Sequence, residues 1–399
     1  MTKRIVNSIC KHWDVIAVFL VMAAIFTFMM FTFREKTTDM FEHAYAVWKK
    51  VAVEGTHMFS GNFILYFTVN LLTLFSGNQL AIAIVFPLFV ALCNTAKYVI
   101  VRNAFAIDME QRWANVLSLS LLFVYVFPVL YLFGSIWPEI DNMLLGYIMP
   151  NVWHNSTMLC MMPFAIVVYF LSIKQLQNYD SKRNLYIGLA LIISILIKPS
   201  FYFVYGVVFP VIYWRRYGFS KELLYLLLPI IIGVFFVLYE YITIFLLYPV
   251  NEGDGVVIGI DRLLTWSFWK IRWQTWLASL LFPIVFVSLY KKEIHNDYEF
   301  FALVGMLAVA IGIYLLCAET GKRASHGNFA WQMYIVMWFV YYYILKVIVQ
   351  NVQHTYPRLT AVKWSGIAKR EKLMIGLYLF HVACGIWYLI RYLITQNYY

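Results

Sequence analysis

The chain has 399 residues, of which 63% are hydrophobic and 13% charged, with a mean hydropathy of +0.72. Soluble domains carry about 25% charged residues, so this chain has too little charge to coat a water-facing globule. The same composition excludes disorder, collagen and coiled coil. What remains is an all-α polytopic transmembrane helix bundle, read as one integral membrane domain over residues 1–399.

The N-terminal stretch carries Lys3, Arg4 and Lys11 ahead of the first apolar run, 15–33. That run is long enough to cross a ~30 Å hydrocarbon core. It leads straight into Arg34-Glu35-Lys36 with no small-residue cleavage site, so it reads as a retained span with the N-terminus inside. Hydropathy and charge breaks then predict about eleven spans in all: 15–33, 79–101, 114–136, 159–177, 185–198, 200–214, 223–247, 273–290, 298–317, 329–347 and 373–395. Lys198-Pro199 separates two short ones, and proline stops the first at or before Lys198. With that hairpin in place most basic residues fall on the inner side, as the positive-inside rule requires. The net charge of +11 is thereby a topology signal, and no nucleic-acid partner is expected. Cys93, Cys160, Cys317 and Cys384 lie in apolar stretches without CxxC spacing, so neither a disulfide framework nor a zinc site is expected.

On this topology the polar chemistry gathers in four outer segments. The first, 34–78, holds Asp39, Glu42 and His43 at i, i+3 and i+4, one face of a helix; metal ligation by the three is an open alternative. Residues 62–75 are apolar but too short to span, which suits an interfacial or re-entrant helix. The second segment, 137–157, holds Trp153, His154 and Asn155; Asn155-Ser156-Thr157 matches a glycosylation sequon. The third, 248–272, carries Arg262 and Arg272, and the fourth carries Arg323 and His326; Lys198 faces the same side. The span interiors read as nearly free of such groups. Glu240 and His381 are the ionisable exceptions, functional candidates by default.

Three local features carry a resemblance. One is the first outer loop with Asp39 just past the membrane, then Glu42-His43 and a helix ending near Glu54-Gly55. Another is the junction Leu74-Phe75-Ser76-Gly77-Asn78-Gln79-Leu80-Ala81, and the third is Gly188-Leu189-Ala190 through Ile197-Lys198-Pro199. Over roughly residues 10–215 the chain resembles the GT-C superfamily of polytopic glycosyltransferases. It lacks the Asp-Asp or Asp-Glu pair of the oligosaccharyltransferase type in its first loop.

The resemblance implies transfer of a sugar from a polyprenyl-phosphate donor to a glycan, lipid or protein acceptor at the outer face of the plasma (inner) membrane. It implies Asp39 as catalytic base, with Glu42 as understudy and His43 to orient or share the proton. Lys198 and Arg323 are the leading phosphate binders, with Arg262, Arg272 and His326 behind them. His154 and Asn155 are candidates for the sugar or acceptor. No cofactor is expected, and a divalent metal is left open. Two other readings stand beside this one: a polysaccharide polymerase or ligase using polyprenyl-diphosphate glycans, and a lipid or solute transporter.

Overall fold

The structure, a computed structural model, describes residues 12–33, 38–59, 61–127, 147–247, 255–259, 273–321, 327–356, 358–359 and 363–396. Helices run through nearly all of it, as apolar surroundings demand when each backbone N–H must find its partner within the same segment. In chain order they are α1 (Trp13–Thr32), α2 (Asp39–Trp48), α3 (Phe63–Leu72), α4 (Gln79–Phe105), α5 (Gln111–Phe123), α6 (Ser156–Gln177) and α7 (Ser181–Ile197). There follow α8 (Ser200–Tyr217), α9 (Lys221–Tyr241), α10 (Trp273–Leu289), α11 (Tyr298–Leu316), α12 (Trp331–Thr355) and α13 (Lys369–Thr395). A small antiparallel pair, β1 (Val256–Ile258) and β2 (Cys317–Glu319), sets Val256 opposite Glu319.

Seven helices among the described residues are long and apolar enough to cross a membrane: α1, α4, α6, α9 with its π-helical extension, α11, α12 and α13. This is the architecture of a multi-pass membrane protein. Helices α5, α7, α8 and α10 lie at the other four expected spans and run for 13, 17, 18 and 17 residues. The apolar stretch 62–75 forms the ten-residue α3, too short to span. Lys198-Pro199 does end one helix and start the next: α7 stops at Ile197, Lys198 is extended, and α8 begins at Ser200. Past α3 the chain turns through Leu74 and Phe75, both at φ 55°. That left-handed conformation is costly for residues with a Cβ, and it falls in the junction singled out in the sequence.

Helices α6 and α12 are innermost. Around them α1 packs on α4, α4 on α6, α6 on α7, α7 on α9, and α8 on α11. At the end where α1 begins and α4 stops, Asp14 pairs with Arg102 at 2.6 Å. Lys346 of α12 pairs with Glu299 of α11, and Arg370 of α13 holds Glu371 at 2.8 Å and Glu293 at 2.7 Å.

One segment departs from the expectation. Within the span predicted at 114–136 the first helix stops at Phe123; residues 124–127 are non-helical and lie in the bundle, with Val124, Tyr125 and Val126 buried. The run 147–155 is also largely non-helical and wholly buried. Its Asn151 Nδ2 donates to the carbonyls of Leu121 and Val124, at 3.0 and 2.9 Å, and its Oδ1 accepts from Lys97 Nζ at 2.8 Å. Trp338 Nε1 also donates to Leu121 O. His381 takes up the Tyr125 backbone: its own carbonyl accepts from Tyr125 N at 3.1 Å, and its ring Nδ1 lies 2.7 Å from Tyr125 O. Gly385, one turn on, lets the chain approach; a Cβ there would stand 1.4 Å from the Phe123 oxygen. Buried irregular backbone is tolerated when protein groups satisfy it, and these residues do so. The expectation of span interiors nearly free of polar groups is therefore corrected. Asn151, within the expected outer segment 137–157, reaches Lys97, within the expected span 79–101, because the chain between 147 and 155 is buried in the bundle.

Candidate functional site

The i, i+3, i+4 pattern forms a helix as expected. Thr38 caps α2, and the α2 N-terminus is pinned to the buried run before α6: Asp39 N donates to His154 O at 3.1 Å. Asn155 caps α6, its Oδ1 accepting from Met158 N at 2.8 Å and from Thr157 Oγ1 at 2.9 Å. This fixes the amide so that its Nδ2 donates to Asp39 Oδ2 at 2.7 Å. With Asn155 buried and so engaged, the sequon has a structural use and no exposed amide.

Lys198 enters from the α7–α8 turn. Its Nζ donates to Thr157 Oγ1 at 3.2 Å and lies 4.9 Å from the centre of the Trp331 ring. Trp331 also meets His154, ring centres 5.9 Å apart. The indole is held by Asn328 Oδ1 at 3.2 Å, and Asn328 Nδ2 in turn by Glu319 Oε2 at 2.6 Å. So four separate stretches meet at one end of the bundle: the start of α2, the start of α6, the α7–α8 turn and the start of α12.

The electrostatics follow from burial and from the Lys198 charge. Burial raises the Asp39 carboxyl to about 7; the Lys198 charge and the Asn155 hydrogen bond oppose the rise, and Glu42 adds to it. Burial and then the Lys198 charge hold His43 and His154 down to about 3. Both imidazoles are neutral at physiological pH and serve as hydrogen-bonding groups, not cations. His43 Nδ1 lies 2.5 Å from the Tyr66 hydroxyl, and its ring stacks on Phe86. Its described partner is thus Tyr66, not Asp39. Glu42 is exposed on the same helix.

Six of the sequence-predicted residues therefore share one neighbourhood: Asp39, Glu42, His43, His154, Asn155 and Lys198. Arg262, Arg272, Arg323 and His326 lie outside the described residues. Among the described residues no group of three or more His, Cys, Asp or Glu could hold a metal ion. Asp39, Glu42 and His43 do not form such a group. The residues missed from sequence are Thr157, Trp331 and Tyr66. Thr157 and Tyr66 had no signal, and Trp331 was one of many aromatics suited to membrane interfaces. No family model, no curated protein and no solved structure matches the chain.

Proposed function

We propose that the protein is a GT-C-like glycosyltransferase. It moves a sugar from a polyprenyl-phosphate donor to a glycan, lipid or protein acceptor at the outer face of the plasma membrane, across a bundle of about eleven spans. The observation that carries the reading is Asp39 in a fixed hydrogen bond from Asn155 and within the field of Lys198. Base and cation come from distant parts of the chain, and the reaction needs both at one place.

Asp39 accepts the proton of the acceptor hydroxyl as its oxygen attacks the anomeric carbon. The bond from that carbon to the phosphate oxygen breaks on the opposite face, and the electron pair leaves with the phosphate. The anomeric configuration inverts. Lys198 stabilises the charge that builds on the departing phosphate, as a positioned cation does best in water-poor surroundings. Asn155 keeps the Asp39 carboxylate oriented, and a pKa near the working pH suits a general base. His154 and Asn155 are the contacts to the sugar or the acceptor. The apolar helices around the site suit the isoprenoid tail.

A transporter reading is favoured by one observation, the interrupted α5 beside buried Lys97, since transporters use broken helices at depth. Here, however, Asn151, Trp338 and His381 close that backbone with protein partners. One experiment separates the readings. Purified protein in liposomes receives radiolabelled polyprenyl-phosphate hexoses and pentoses. The enzyme reading expects release or transfer of sugar, reduced at least tenfold in Lys198→Met. Movement of the intact donor across the bilayer with no release would sink the enzyme reading.

A further inference from the structure

Glu240 is the acid that the mechanism above leaves unused. It sits at the end of α9, on an element distant in sequence from every other site residue. It is 5% exposed, and its Oε1 has no hydrogen-bond partner among the described residues. Acids are almost never fully buried unless paired, and an unmade hydrogen bond at a buried oxygen is costly. An ionisable side chain within a span is retained for a use.

Three observations place that use at the Asp39 site. The charge that acts on Glu240 is that of Lys198, the same ammonium that acts on Asp39, His43 and His154. Helix α9 packs on α7, whose last residue precedes Lys198. Immediately after Glu240 the helix widens into a π turn, Ile242–Leu247, with Thr243 Oγ1 donating back to Tyr239 O at 2.6 Å. Such widenings recur at functional sites.

We propose that Glu240 is a substrate-contacting carboxyl of this site that accepts a hydrogen bond from a hydroxyl of the transferred sugar. The proposal rests on the sugar-phosphate reading above and narrows it to a class of sugar. In its ionised form a carboxyl with an open oxygen takes an O–H or N–H donor and repels a phosphate, so its target is the sugar and not the leaving group. Asp39 already takes Asn155 on one oxygen. Glu240 has no such fixed donor among the described residues, which leaves it available to a ligand. The Trp331 face beside Lys198 offers the apolar side of a sugar ring a surface. Asp39, Glu42 and Glu240 around Lys198 also disfavour an anionic sugar. The donor carries a neutral or amino sugar, not a uronic acid.

The test is lipid binding by native mass spectrometry in nanodiscs. The probes are decaprenyl phosphate and decaprenyl-phosphate-linked glucose, mannose, galactose, arabinose and glucuronic acid. The native protein is expected to bind at least one neutral-sugar lipid more tightly than decaprenyl phosphate itself, and glucuronic acid lipid least. At about pH 9, where the carboxyl is ionised, Glu240→Gln is expected to bind that neutral-sugar lipid about 10- to 100-fold more weakly, the loss expected for one hydrogen bond to a charged group. Its binding of decaprenyl phosphate should stay unchanged. A thermal melt alongside, with Glu240→Asp as a second variant, separates misfolding from loss of contact. The proposal is overturned if Glu240→Gln binds both lipids as the native protein does, or loses both equally. Failure of the underlying reading looks different: Lys198→Met would then bind decaprenyl phosphate as well as the native protein, and the proposal would fall with it.

Discussion

At Asp39 two charges compete. Burial lifts its carboxyl to about 7, and Lys198 holds it from rising further. A base must be deprotonated, so activity should fall as pH drops through that value. The profile of kcat/KM reports the free enzyme and that of kcat the bound complex. A donor phosphate on Lys198 cancels much of the charge that restrains Asp39. The acidic limb of kcat/KM should lie near 7, and that of kcat at higher pH; measurement of both profiles checks this, and coincident limbs would remove Lys198 from the phosphate. The same shift bears on stability. A carboxyl raised in the folded state contributes stability that is fully present below its unfolded pKa of about 3.9 and lost as pH rises through about 7. Asp39→Asn should therefore melt higher than the native protein at pH 8 and no higher at pH 3. The site strains the fold at the pH where it works. The first-loop resemblance pointed to Asp39, and the scarcity of polar groups in an apolar chain made Lys198 and Asn155 stand out. The sequence could not point to Thr157, whose hydroxyl matters through its position between Asn155 and Lys198. Nor could it give Glu240 a role, because that depends on which helix end faces which.

At the scale of elements, hydropathy found the apolar stretches, and charges and proline found the breaks. α2 followed from a three-residue pattern, and the α7–α8 hairpin from Lys198-Pro199. What hydropathy could not separate was a membrane span from buried extended chain, since both are apolar. Residues 124–127 have the composition of a helix interior, but their backbone bonds go to Asn151 and His381. Those partners are 27 and 256 residues away in sequence, beyond any local pattern. This arrangement carries a prediction. Asn151→Leu leaves the Val124 carbonyl and the Lys97 ammonium short of a partner and the Leu121 carbonyl with Trp338 alone, a loss of about 1–3 kcal/mol per buried group left unpaired. Hydrogen exchange over 147–155 should quicken and the melting temperature fall. Gly385→Ala should be worse, because a methyl group 1.4 Å from the Phe123 oxygen meets backbone that no rotamer change can move. If Gly385→Ala were as stable as the native protein, the extended chain would not lie on α13 as described.

Across the whole molecule, the ion pairs that join one helix to another and the site occupy opposite ends of the bundle. Asp14 with Arg102, Glu299 with Lys346, and Arg370 with its two acids fasten helices together where α1, α11 and α13 begin. Partial burial and good geometry make such pairs costly to break, and they leave the other end free to hold groups that are less well satisfied. There α2, the buried run before α6, the α7–α8 turn and the starts of α6 and α12 bring together an acid near neutrality, a cation, two neutral imidazoles and an aromatic face. The low charged fraction first marks the chain as membranous; the fold then gathers a buried acid and a cation at one end of the bundle. The most direct measurement is sugar release and transfer from polyprenyl-phosphate sugars by purified native protein and by Asp39→Asn, both in lipid. Loss of the positioned base should lower the rate by about 10²–10⁴ while the variant stays folded and still binds decaprenyl phosphate. Undiminished transfer by Asp39→Asn would contradict the assignment of the base and, with it, the site built around it.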